Sequence, residues 1–520
     1  MARFDHLIIG TGIHALLAAA MLSHRGDSVL MIERKERIGG LSVASDDVTL
    51  PAYHHDVMAA SFLMFLLAPA YRALREGLVE YGLELCHSPN PTAVLRPNGS
   101  SVVLSMDRKT NVLVFNQRAA GDGDRYAKDV GRMEADAGFL SALLGQPLWS
   151  RQTAILAAKQ LWNKGFGPLK TWFQEDLESA RGWLETRYGA ADIQALWAPW
   201  VLHLGLSPEA NYGGQMSRAI AFALETAGVP VIKGGTGQAV AAFRSLIEAN
   251  GGKIRTGVEA TQIIVEKGRA AGVETSNDEK ILVKNVIVGT ASGQLYEGLF
   301  EDKYPPEATK SYRQGRGCFQ IHYALGGPIE WAAGEMKDVG LIHLADGIDS
   351  VSKSSKEAQR GMLPARPTIC VGQPHRMDPS CCPEGKAVLW LQIPDAPRVI
   401  KGDAAGEIAT VPEWSEAMCE AYADRIEGIL KRHIKNWEAV NLKRRAYSPR
   451  DVETRNVNLD GGGPNSGACT LDQFLVWRPF AAQANTDMPV KNLYHIGAFA
   501  LSGAGLSGAS GFTIAKGLDA

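Results

Sequence analysis

Apolar and polar positions change period twice within the first forty residues. Leu7, Ile8 and Ile9 form an unbroken apolar run, the pattern of a strand buried on both faces. Gly10-Thr11-Gly12 interrupts it, a helix is expected from 15 to about 24, and Gly26 ends that helix. Val29, Leu30, Met31 and Ile32 then predict a second buried strand, which stops at Glu33. The run at 57–68 reads as a buried helix, being too short to span a bilayer. From about 70 to 227 the pattern is mostly helical, with a short strand at 102–104 and helix punctuation at Pro168 and Pro199. Trp149, Trp162, Trp172, Trp183, Trp197 and Trp200 crowd this part; such density serves a core more often than a substrate tunnel.

Further on, a helix is expected at 239–249 and a strand at 254–257. Apolar runs at 262–265, 271–274, 280–283 and 285–289 follow, separated by turn residues such as Lys267-Gly268 and Asn277-Asp278. This is the pattern of a β-meander feeding back into a parallel sheet. Strands of a second sheet are expected at 319–325 and 387–393, and an amphipathic helix at 414–433. A strand at 492–497 and a helix running to 518 close the chain.

Length and composition narrow the function. A chain of 520 residues exceeds one ordinary domain, and 45% hydrophobic with 21% charged residues is normal for a globular protein. A formal net charge of −2 provides no basic field for nucleic acid. The seven cysteines show neither metal-ligand spacing nor a disulfide framework, which fits a reducing cytoplasm. The N-terminus enters a strand almost at once, leaving no room for a cleavable signal. The apolar stretch at 57–68 also suits peripheral contact with a membrane.

The chemistry lies in the first turn. Gly10 permits a tight turn, Gly12 lets the backbone approach a pyrophosphate, and Ala15 takes the small position where helix packs on strand. Glu33, 21 residues after Gly12, is spaced to accept hydrogen bonds from a ribose, while the helix start offers free N–H groups to phosphate.

Glu33-Arg34-Lys35-Glu36-Arg37-Ile38-Gly39-Gly40, continuing into Leu41 and Ser42, resembles the extended fingerprint of the flavoproteins that include amine oxidases and phytoene desaturases. So do Pro230 to Gln238, with Val258 at the position whose backbone holds adenine in that family. The C-terminal landmarks around Ser448-Pro449-Arg450-Asp451, Asn456-Val457-Asn458, Leu471-Asp472-Gln473-Phe474 and Trp477-Arg478-Pro479 resemble the phytoene dehydrogenase-related branch. Gly497 and Gly503-Ala504-Gly505-Leu506-Ser507-Gly508 resemble its closing turn. Two departures are His14, where Asn is usual, and Phe499-Ala500-Leu501, where Ser/Thr-His-Pro is common; both bear on the substrate.

The resemblance implies an α/β protein with a Rossmann-like FAD-binding domain (parallel sheet plus β-meander) and an inserted α+β substrate domain. Residues 1–70, 228–300 and 445–520 would form the first, and 71–227 and 301–444 the second. FAD would be bound without a covalent link by Gly10, Gly12, Ala15, Glu33, Arg34, Arg37, Gly39, Gly40, Leu41, Ser42, Val258, Gly497, Gly505, Leu506 and Ser507. No metal is implied. His54 and His55 are weak candidates for a role at the flavin, equally readable as polar turn residues; His322 and Tyr323 are weak candidates to face a substrate, although a lone histidine in a strand is more often structural. The implied activity is dehydrogenation of an apolar or conjugated small molecule, with oxygen, a quinone or another carrier as acceptor. A redox-neutral isomerase or hydratase assisted by flavin is the alternative, and a non-catalytic binder like the GDP-dissociation inhibitors is a third reading.

Overall fold

The computed structural model describes residues 4–144, 150–165, 177–300, 312–474, 490–500 and 505–518, with 167, 170, 174, 175, 477–479 and 488 between them. Trp149, Pro168, Trp172 and the stretch 501–504 lie outside the described residues. The protein is a mixed α/β fold built on two seven-stranded sheets.

The first sheet grows from the opening unit. Strand β1 (Phe4–Ile9), helix α1 (Ile13–His24) and strand β2 (Val29–Ile32) follow the expected pattern. β1 lies between β2 and the strand Lys280–Val288, parallel to both, so Leu7 and Ile8 are sealed from solvent. Lys253–Arg255 extends the sheet beyond β2, and Leu493–His495 pairs with the far side of Lys280–Val288. The meander is present as Ala260–Glu266, Arg269–Thr275 and the start of Lys280–Val288. The two apolar runs at 280–283 and 285–289 thus belong to one strand. Its first half alternates exposed and buried against the meander; its last three residues, Val286, Ile287 and Val288, are all buried in the parallel sheet.

The second sheet runs Asn441–Tyr447, Gly317–Leu325, Ala387–Ala396, Ile369–Gly372, Val339–Leu344, Asn90–Leu95, Ser101–Leu104. The helix Glu416–Leu430, capped by Ser415, covers one face and buries Tyr422, Ile426 and Leu430 there. On the other side lie the helices of 180–227, where Trp183 and Trp197 are core and Trp200 nearly so. Trp162 is 90% exposed and shares in neither core nor tunnel.

Three expectations change. Residues 57–68 are not one helix: His55–Met58 is a strand paired with Ser42–Ser45, and only Leu63–Leu67 is helical. Apolar composition alone does not separate buried strand from buried helix. The boundary at 70 falls inside the helix Pro69–Glu80, whose Ala70, Leu74 and Leu78 pack into the first sheet's core beside α1. The boundary at 445 falls inside Asn441–Tyr447, a strand of the second sheet. Among the described residues, no helix is long and apolar enough to cross a membrane.

Folding buries histidines in number. Desolvation pushes His14, His55, His203, His375 and His495 down to about 4, and His322 and His343 well below their ordinary value. The unfolded chain therefore binds protons that the folded chain refuses, and stability falls as pH drops from about 6.5 towards 4. Each such histidine adds up to about 1.4 kcal/mol per pH unit to the slope. Asp56, raised by burial to about 6, opposes this with one proton. Urea midpoints measured from pH 7 to pH 4.5 should fall steeply; a flat profile would contradict the buried neutral state.

Candidate functional site

The cleft begins where β1 ends. Gly10 turns the chain with φ +91°, its N–H donating to Ile32 O at 2.8 Å. Gly12 caps α1 without any side-chain bond, leaving the helix start uncapped by the protein. Glu33, at the tip of β2, reaches back: its Oε2 accepts from Thr11 N (3.1 Å) and Thr11 Oγ1 (2.7 Å), and its Oε1 accepts from Lys35 N (3.1 Å). Thr11 Oγ1 in turn accepts from Gly39 N at 3.1 Å. One carboxylate thus ties the Gly-rich turn to the loop carrying Gly39-Gly40. Val258 N donates to Glu33 O at 2.9 Å, which brings Val258 to the same end.

Gly10, Gly12, Ala15, Glu33, Arg34, Arg37, Gly39, Gly40, Leu41, Ser42, Gly497, Gly505 and Leu506 line one cavity of ≈ 330 Å³. Val258 and Ser507 flank it, Ser507 Oγ accepting from Ala509 N (3.3 Å) at the start of the closing helix Ala509–Gly517. Asp47, Arg455 and Ser466, which no motif pointed to, also line it, as do Thr11, Lys35, Asn456 and Asn458, quoted only within motifs, and His14, expected to bear on the substrate. Arg455 and Asn456 are delivered by the helix Pro449–Arg455, which starts with Pro449 at N1 and a Ser448/Asp451 capping box. That capping signal stood in the quoted landmark, but its consequence at the site was not legible. Arg478, 1% exposed, braces the region by donating to Ala498 O (2.7 Å), Ala468 O (3.2 Å) and Ser466 O (2.9 Å).

The cavity fits the phosphate end of a dinucleotide. A Cβ on Gly40 would stand 3.1 Å from Gly12 Cα, whereas among the described residues nothing lies within 4 Å of the Gly12 Cβ position. The backbone is therefore crowded behind the turn and open in front, where uncapped helix N–H groups would meet an anion. Arg34, Lys35, Arg37 and Arg455 supply positive charge around it.

The substrate candidates separate. His322 and Tyr323 are neighbours on Gly317–Leu325 and so face opposite ways. Tyr323 is buried against the Trp437 ring, its hydroxyl donating to Glu427 Oε2 (3.1 Å), which corrects the reading that it faces a substrate. His322 is buried 5.3 Å, ring to ring, from His55, and among the described residues neither of its nitrogens finds a partner. His55 bonds Thr49 Oγ1 at 2.7 Å, and half-buried His54 pairs with Asp46. Opposite His322 and Gln320 stand Trp390 and Gln392, the two half-buried residues of the otherwise buried strand Ala387–Ala396. Away from the cleft, His203, His343 and Cys370 bring three ligand-type atoms within 4.8 Å of one another. The two Nε2 atoms already share a hydrogen bond (2.9 Å), and His343 Nδ1 lacks the partner that steadies a metal-bound imidazole.

With the geometry in place, comparison defines the class. The family described as flavin containing amine oxidoreductase matches residues 16–361, and the chain belongs to it. It is 24% identical over 569 residues to pyridine nucleotide-disulfide oxidoreductase domain-containing protein 2 of Mus musculus, covering 98% of this chain and 92% of that one. It is 23% identical over 522 residues to the zeta-carotene-forming phytoene desaturase of Myxococcus xanthus, covering 96% and 90%. Among solved structures it is similar to an oxidoreductase from Methanosarcina mazei, with TM-score 0.59 and 16% identity over 99% and 100% of the two chains. The protein is thus a flavin-dependent oxidoreductase of the amine oxidase and phytoene desaturase-related superfamily.

Gly40 carries a direct test. Alanine there would occupy φ +62°, at roughly 1–2 kcal/mol, and meet Gly12. Gly40→Ala should purify with markedly less flavin, read from the ratio of absorbance at the flavin and protein maxima; full occupancy would contradict the close approach.

Proposed function

We propose that the protein holds FAD without a covalent bond and dehydrogenates an apolar or conjugated small molecule. The observation that carries this is the cleft itself, lined by Glu33 and the uncapped start of α1 together with Gly497, Gly505 and Leu506. Glu33 would take the ribose hydroxyls, the N–H groups after Gly12 the pyrophosphate, and the Gly505 turn the flavin ring. When bound, FAD supplies the acceptor for a hydride or electron pair. None of the seven cysteines, all free, lines the cleft, and both ring nitrogens of His14 are engaged within the protein, which supports a non-covalent hold.

A second cavity, lined by His54, His55, His322 and Trp390 among others, supports the substrate class. Trp390 gives an aromatic surface for an extended apolar body. His55 and His322 stay neutral near pH 7, so they orient by hydrogen bonding and do not supply a proton. The phytoene desaturase relative, by its name, acts on such a polyene. The electron acceptor is a diffusible oxidant such as oxygen, a quinone or another carrier, reached from the cytoplasm or a membrane surface.

Anaerobic addition of a conjugated or terpenoid substrate should bleach the flavin stoichiometrically, with one new double bond per flavin reduced. Turnover with no bleaching would instead favour the redox-neutral isomerase or hydratase.

A further inference from the structure

His14 is the side chain that physically joins the two ends of the chain at the cleft. It sits on the first turn of α1, 5% exposed, where α1 crosses the closing helix Ala509–Gly517. The helices are so close that a Cβ on Gly511 would lie 2.0 Å from His14 O. From there the imidazole spans 491 residues of sequence: Nε2 stands 3.1 Å from Gly505 O, and Nδ1 2.7 Å from Ser510 Oγ. Ser510 Oγ is also 2.9 Å from Gly497 N.

These contacts fix every proton. A carbonyl only accepts, so Nε2 carries the hydrogen and donates it to Gly505 O. The ring is neutral, its pKa held down to about 4 by burial, so Nδ1 is a bare acceptor and takes the Ser510 hydroxyl proton. Ser510 Oγ then accepts from Gly497 N–H. A single directed chain, Gly497 N–H to Ser510 O–H to His14, and His14 N–H to Gly505 O, locks both glycines that border the flavin end. A planar trans peptide points its N–H opposite to its C=O. With Gly505 O turned to His14, the Leu506 N–H points away from that ring. Gly505 reaches this orientation at φ +84°, a conformation glycine adopts without strain.

We propose that His14 is a positioning residue for the flavin: it holds the Gly505–Leu506 peptide so that its N–H faces the ring and stabilises the charge gained on reduction. This rests on the reading that the cleft holds FAD. A preorganised donor aimed at developing negative charge favours the reduced over the oxidised form. The residue that looked like a substrate determinant from its unusual identity thereby acts on the cofactor.

The test is the two-electron reduction potential of FAD-loaded wild type, His14→Leu, His14→Gln and Ser510→Ala, by spectroelectrochemical titration, with circular dichroism and thermal melting as controls. His14→Leu should lower the preference for reduced over oxidised FAD about tenfold, a drop of about 30 mV for a two-electron couple. His14→Gln, with an amide N–H for Gly505 and an amide oxygen for Ser510, should restore most of it. Ser510→Ala, which removes the hydrogen bonds to His14 Nδ1 and from Gly497 N and changes no residue of α1, should fall between. A folded, FAD-replete His14→Leu with the wild-type potential overturns the inference. If His14→Leu does not fold, an unchanged potential in Ser510→Ala overturns it equally. Wild-type protein that binds no flavin would instead overturn the cofactor reading, so the two failures are distinguishable.

Discussion

Two stretches of backbone, at Gly12 and at Gly40, approach so closely that a single methyl on Gly40 would stand 3.1 Å from the Gly12 Cα. That approach holds because Glu33 bonds Thr11 twice and Thr11 bonds Gly39, pulling the loop onto the turn. Charge-assisted bonds of this kind are about twice as strong as neutral ones. The close approach leaves the α1 start open towards the cavity and crowded behind it. It also sends the chain into Ser42–Ser45, the strand that pairs with His55–Met58 and forms a side of the cavity. Remove the glycines or the carboxylate, and the first sheet has no reason to present a phosphate site at this edge.

The second sheet solves a different problem. It gives one face wholly to a hydrophobic core under Glu416–Leu430 and leaves polar atoms on the other: Gln320 Oε1, both His322 nitrogens, Thr92 Oγ1. Buried polar atoms without protein partners cost stability, and they mark places where a ligand or water completes the bonding. Gln320 and His322 stand opposite half-buried Gln392 and Trp390 on the adjoining strand, which sets an aromatic surface beside a few polar groups.

What the sequence made legible was local. Gly10, Gly12, Ala15 and Glu33 lie within one strand–turn–strand unit, where spacing and hydrophobic period carry geometry directly. The Ser448/Asp451 cap is local too, yet the delivery of Arg455 and Asn456 to the cavity depends on tertiary packing and could not be read. His14 is the clearest case of the limit, because its partners Gly505 and Ser510 are nearly five hundred residues away and its role is defined only by their meeting. Tyr323 shows the complementary limit: it was a candidate alongside His322, while strand alternation puts the two on opposite faces. The run at 57–68 was apolar enough for a helix, but pairing with Ser42–Ser45 outweighed composition for its first residues.

We propose that the Gly12–Glu33–Gly40 unit reads the adenosine diphosphate half of a flavin dinucleotide. Titrating apoprotein with FAD and, separately, with FMN, following quenching of flavin fluorescence, addresses it most directly. A charged hydrogen bond is worth about 1.5–3 kcal/mol, so FAD should bind at least about tenfold more tightly than FMN. This margin should collapse in Glu33→Ala. Equal affinity for FAD and FMN in the wild-type protein would contradict it.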